Sequence, residues 1–158
     1  MNVLDASAIA HAAHRGDRDR FGELVLEHVG RVVDAVPSEA QATAWLHDVL
    51  ERTDVAPAEL RAAGLTAVEL AALELLTRVP TEVYELYVLR IAHAPGEEGR
   101  LARCVKLADL DDHLAHEEIP LTAPPYAWAR RHIVVAQLRL GDGGRAPAAL
   151  SDTRPPAA

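Results

Sequence analysis

Apolar residues in this chain recur three and four positions apart in one segment after another, and no segment reads as strand-rich. A helix presents one face at that spacing, so the pattern commits the chain to stacking amphipathic helices. Pro and Gly set the stops. The spacing predicts helices over residues 4–14, 23–35, 38–52, a short one from Pro57 to Gly64, then 66–77, 81–93, 100–116 and 126–140. Ser38 with Gln41 and Thr66 with Glu69 are spaced as capping boxes, and Pro57 suits a first helical turn. "HRGDRDRFGE" reads as a charged loop, "APGEEG" as a turn and "IPLTAPP" as a connection. The expectation is an all-α, single-domain helical bundle over residues 1–140, with the Gly/Pro/Ala-rich stretch 141–158 a disordered tail.

The 158 residues suffice for one sizeable core. A net charge of −8 argues against broad binding to nucleic acid or an anionic membrane, so an anionic substrate would need a local basic pocket. Cys104 is the one cysteine, flanked by Val105 and Leu107, and is expected to be a small buried filler. No apolar run reaches the ~18 residues of a membrane span, and "MNVLDASAIA" lacks a basic leader, so a soluble cytoplasmic protein is expected. Tyr84, Tyr87, Trp45 and Trp128 read as core rather than as a base-stacking platform.

Within "TAWLHDVLERTD" a histidine and an aspartate, His47 and Asp48, stand side by side among apolar residues. Glu51 follows on the same side of the helix. Alone, such a trio is more often a solvated edge. His28 in "LVLEHVGRVV" and Asp109 in "CVKLADLDDHL" occupy similarly apolar surroundings, where each alone is more often a satisfied core histidine or a solvated carboxylate. Together they make two imidazoles and two carboxylates, a set that suits Mn²⁺, Fe²⁺ or another mid-row divalent ion. An ion so held acidifies water, and Glu51 is the group placed to orient or deprotonate that water.

Three segments carry a resemblance to a known family. "AHRGDRDRFGELVLEH", with His14, Gly16, Gly22 and His28 in register, "LHDVLERT" and "VKLADLDDHL" resemble, in order, the motifs of HD-domain metal-dependent phosphohydrolases. They look most like the (p)ppGpp hydrolase domain of Rel/SpoT-type alarmone enzymes and its small single-domain relatives, over about residues 5 to 116. The resemblance implies an HD-type bundle, with His28, His47, Asp48 and Asp109 ligating a single Mn²⁺ and Glu51 positioning the attacking water. Only His93 lies between Asp48 and Asp109 to serve a second ion.

Four departures fall outside the metal quartet. Arg52 replaces the second carboxylate of the family's Glu-Asp pair, and either holds a phosphate or faces water. Asp19 replaces an arginine, flanked by Arg18 and Arg20. Leu24-Val25 replaces a Pro-Tyr, and His113 stands where relatives place a ribose-contacting asparagine. Arg18, Arg20, Lys106 and His113 are therefore the expected substrate contacts, with Glu51 and Arg52 beside the reaction. Lys106 has a supporting salt bridge as its alternative role, and Arg103 reads as a solvated cation or part of the positive field. The expected function is a Mn²⁺-dependent phosphohydrolase or pyrophosphohydrolase for a small nucleotide such as (p)ppGpp, with homo-oligomerisation left open. The alternatives are a phosphatase for another small phosphate ester, and a catalytically altered HD domain that binds a nucleotide or partner as a regulatory module.

Overall fold

Val25, Val29, Val32 and Val33 share one side of a helix, and that side is buried. The computed structural model repeats this arrangement through the residues it describes, 1–116 and 126–142. The helices are α1 (Val3–Ala13), α2 (Val25–Asp34), α3 (Gln41–Leu46), α4 (Val49–Arg52), α5 (Pro57–Ala62), α6 (Ala67–Leu76), α7 (Tyr84–His93), α8 (Gly96–His116) and α9 (Tyr126–Leu140). No strand forms among the described residues beyond one antiparallel bridge between Arg18 and Leu24. The expected all-α bundle is the observed architecture. None of these helices is long and apolar enough to cross a membrane.

Helix α8 is the axis of the bundle. It packs on α2, α6, α7 and α9, while α3 bridges α1, α2 and α6. Leu101, Ala102, Val105, Ala108 and Leu110 of α8 meet Val29, Leu46, Leu73, Val88 and Ile133 in one continuous core. Burying each of the Val, Leu and Ile side chains contributes roughly 1.5–3 kcal/mol. Tyr87 lies in that core, and Tyr84, Trp45 and Trp128 pack partly buried against it. Cys104 is partly buried there too, and burial pushes its thiol pKa up.

Several boundaries differ from expectation. The Thr66–Glu69 capping box forms, Thr66 Oγ1 accepting from the Glu69 amide (3.2 Å) and Glu69 Oε2 from the Thr66 amide (2.8 Å). Ser38 does not cap α3. Pro37 instead leads into a 3₁₀ turn, Ser38–Ala40, with no side-chain cap. The turn expected at "APGEEG" is absorbed into α8 from Gly96 on. A Cβ on Gly99 would stand 2.1 Å from the Ala94 carbonyl, so only glycine lets this first turn approach the end of α7 so closely.

Arg103 requires the clearest correction. It is 1 % exposed, not a solvated cation. Its Nη1 donates to the Ala94 carbonyl (2.5 Å) and its Nε to Asp142 Oδ2 (2.6 Å), closing the end of α7 and tying down the chain after α9. Asp142 thus belongs to the packed domain. The remainder of the expected tail, 143–158, and the "IPLTAPP" connection lie outside the described residues.

Candidate metal centre

Three elements deliver the polar cluster. His28 projects from α2 between the core residues Val25 and Val29. His47 and Asp48 occupy the joint between α3 and α4 rather than the middle of one helix. The expected continuous helix 38–52 breaks there because the Ala44 carbonyl bends its bonding to His47. It receives the His47 amide at 3.4 Å and the ring Nδ1–H at 2.8 Å. Asp109 and His113 stand one turn apart on α8.

Their candidate ligand atoms gather into two groups that share His28. His28, His47 and Asp48 form one triad, and His28, Asp109 and His113 form another, each with its atoms within 4.8 Å of one another. His28 Nε2 is 3.3 Å from Asp109 Oδ1, His113 Nε2 is 3.0 Å from the same oxygen, and His47 Nε2 is 3.4 Å from Asp48 Oδ1.

Both imidazoles of the first triad are oriented through the opposite nitrogen. His28 Nδ1–H donates to Asp112 Oδ2 (2.7 Å), and Asp112 Oδ1 accepts from Arg31 Nε (2.6 Å). Arg31 is anchored in turn by Glu23 (2.6 Å). Each ring therefore presents Nε2 to the cluster. A carboxylate or carbonyl behind the imidazole is the usual support for a metal-ligating histidine. His47 Nε2 is buried without any hydrogen-bond partner among the described residues. An orphan of that kind costs about 1–3 kcal/mol unless something outside the protein meets it. The donor set of imidazole nitrogens and carboxylate oxygens fits a mid-row divalent ion.

The titratable groups of the cluster hold one another's charge. Burial disfavours charge on His28, but hydrogen bonds to Asp109 and Asp112 outweigh it and raise its pKa to about 10. Burial likewise works against ionised Asp109, yet Lys106, His113 and His28 hold its carboxyl well below the usual range. Asp48 is held down against burial chiefly by His47, while Asp109 pushes it the other way. Two carboxylates thus compete for positive charge at one spot.

The cluster floors a cavity of about 1330 Å³. Of the expected residues, Arg20, His28, His47, Asp48, Glu51, Arg52, Lys106, Asp109 and His113 line it. Glu51 is exposed, its Oε2 accepting from the Arg78 amide (2.8 Å). Arg52 reaches back to Asp48 at 3.7 Å with its side chain 41 % exposed. Lys106 Nζ donates to Asp109 Oδ2 at 2.6 Å, the supporting salt bridge, and lies 5.1 Å from the centre of the Tyr87 ring.

Arg18 is not among the lining residues. It donates to the Gly22 carbonyl (2.5 Å) and holds the loop together from within. Asp19 is also architectural: its Oδ1 accepts from the Phe21 and Glu23 amides (2.8 and 2.9 Å), around Gly22 at φ +88°. His14 is buried beside Asp17 and away from the lining.

Sequence reasoning missed Asp112, Arg31, Arg78 and the aromatic wall of Tyr84 and Tyr126, all of which line the cavity. One signal was available: Asp109, Asp112, His113 and His116 fall on one helical stripe. Tyr84 Oη, like His47 Nε2, is buried without a hydrogen-bond partner among the described residues. No family model matches this chain, and a search of curated proteins returns no match.

Proposed function

We propose that this chain is a metal-dependent phosphohydrolase acting on a small phosphorylated nucleotide, with His28, His47, Asp48 and Asp109 holding one divalent ion such as Mn²⁺. The observation that carries the reading is the buried Nε2 of His47, without a hydrogen-bond partner among the described residues and 3.4 Å from Asp48 Oδ1, in a group of imidazole and carboxylate donors. His28 supports one ion rather than two. Its Nδ1 is committed to Asp112, and its remaining nitrogen is shared by both triads. The resemblance of the three sequence segments to HD-domain phosphohydrolases supports the same set.

When bound, such an ion supplies Lewis acidity at phosphate and acidifies water. The chain's own groups supply the rest. Glu51 on the wall is the carboxylate available to orient and accept a proton from an attacking water. Arg20, Arg52, Arg78 and Lys106 face a phosphate-bearing ligand, and Tyr84 offers it a hydroxyl donor. Six carboxylates and five lysine or arginine cations line the cavity, so a polyanion gains a complementary field only once further positive charge is present. A mid-row ion on the floor provides it.

A second reading, a nucleotide-binding domain that does not turn over, is favoured by Arg52, a cation beside Asp48 where a second carboxylate is the active pattern. Phosphate and pyrophosphate release from ppGpp, GTP, NADPH and nucleoside monophosphates with added Mn²⁺ separates the two. We expect release that requires Mn²⁺ and vanishes in Asp48→Ala. Nucleotide binding without release, in metal-loaded protein, establishes the second reading and overturns the first.

A further inference from the structure

We infer that His113 is a further ligand of the ion, so that three imidazoles surround it rather than two. The inference rests on the metal reading above and extends its ligand set. His113 follows Asp109 by four residues, so both side chains rise from the same face of α8. Its Nε2 lies 3.0 Å from Asp109 Oδ1, which is itself 3.3 Å from His28 Nε2, and these three atoms form the second triad.

The ring is also held in place. His28 stacks on one side with centroids 4.8 Å apart and planes 25° apart, and Tyr126 stacks with it at 5.1 Å and 15°. With those aromatic neighbours, the ring is not placed as a platform for a substrate base. Its nitrogen edge is what it presents to the cluster. Asp109 offers Oδ1 to both histidines because Lys106 occupies Oδ2.

A third imidazole has a chemical consequence. It moves the site toward Fe²⁺, Co²⁺, Ni²⁺ and Zn²⁺ and away from oxygen-preferring Mg²⁺. It also leaves one coordination position fewer for solvent or substrate. Neither effect arises if His113 only contacts substrate.

Titration of the full chain, stripped of metal, with Co²⁺ tests this directly, following affinity and the visible d–d spectrum of wild type, His113→Asn and His113→Gln. Circular dichroism checks that the variants fold. We expect at least a tenfold loss of Co²⁺ affinity in both variants, with a changed absorption envelope, and a smaller loss for Mg²⁺. Affinity and spectrum unchanged overturn the assignment while leaving the metal reading intact. Affinity lost with an unchanged spectrum also overturns it, making His113 a positioning residue for Asp109. Wild-type protein that binds no Co²⁺, Mn²⁺ or Fe²⁺ removes the metal reading itself.

Discussion

The floor and the mouth of the cavity are built on opposite principles. On the floor, His28 and His47 are each locked by a hydrogen bond on the nitrogen turned away from the cluster. Arg31 stands behind Asp112, and Lys106 behind Asp109. At the mouth, Glu51 and Arg52 are exposed, and Arg52 makes a long, 3.7 Å ion pair with Asp48. A group with two fixed partners keeps its geometry when a ligand leaves, whereas an exposed long side chain spends its rotamer freedom only on binding. On the function proposed above, the floor would hold the ion and the mouth would take the substrate.

The largest expected effect comes from breaking the floor at its centre. Asp109→Ala leaves the Lys106 ammonium without its carboxylate and removes the oxygen shared by His28 and His113. Losing one partner of a buried pair costs about 3–5 kcal/mol, so a urea melt should show that drop together with loss of metal binding. His47→Ala should divide the two properties. Its one side-chain hydrogen bond among the described residues is to Ala44, so destabilisation should stay near 1–2 kcal/mol while metal content in purified protein collapses. Equal loss of fold and metal would make the site structural.

Asp112→Asn tests the support rather than the ligands. A lost supporting carboxylate typically weakens metal affinity by about 10–100-fold, which isothermal titration would read directly. At the mouth, Arg52→Ala should raise KM for a phosphorylated substrate and change metal affinity less than about threefold. A larger metal effect would place Arg52 with the floor.

The smallest effect concerns the link between the two regions. Arg31 donates to both Asp112 and Glu23, and its hydrogen bond lowers the Glu23 pKa from an ordinary 4.5. A lowered pKa contributes stability above the unfolded value, lost as pH falls through the folded one. Amides of the 17–24 loop should therefore exchange faster as pH drops below 4.5, after correction for intrinsic rates, and Glu23→Gln should flatten that dependence.

Much of the fold was readable because helical period is a local property, and seven of the expected helices lie within a few residues of observed ones. The break between α3 and α4 was not, because it depends on one ring nitrogen competing for a backbone carbonyl. Arg103 was misread because its partners, the Ala94 carbonyl and Asp142, are set by tertiary packing that its neighbours do not reveal. At the site, His28, His47, Asp48 and Asp109 could be singled out as unusual polar residues in apolar stretches. Arg31 could not, since its bond to Asp112 spans 81 positions and alone it looks like a surface charge; Asp112 was signalled only by the helical stripe it shares with Asp109 and His113. His113 was legible as a pocket residue, and the helix expected over 100–116 already set it one turn from Asp109.

The joint at His47 and Asp48 also limits how this centre could be transplanted. On an unbroken helix, adjacent side chains diverge by about 100°. Here the chain tightens at Ala44 and resumes at Val49, so two neighbouring residues can both face α2. A designer who copied the five polar residues onto straight, idealised helices would reproduce the inventory and lose the focus. The seam must travel with them.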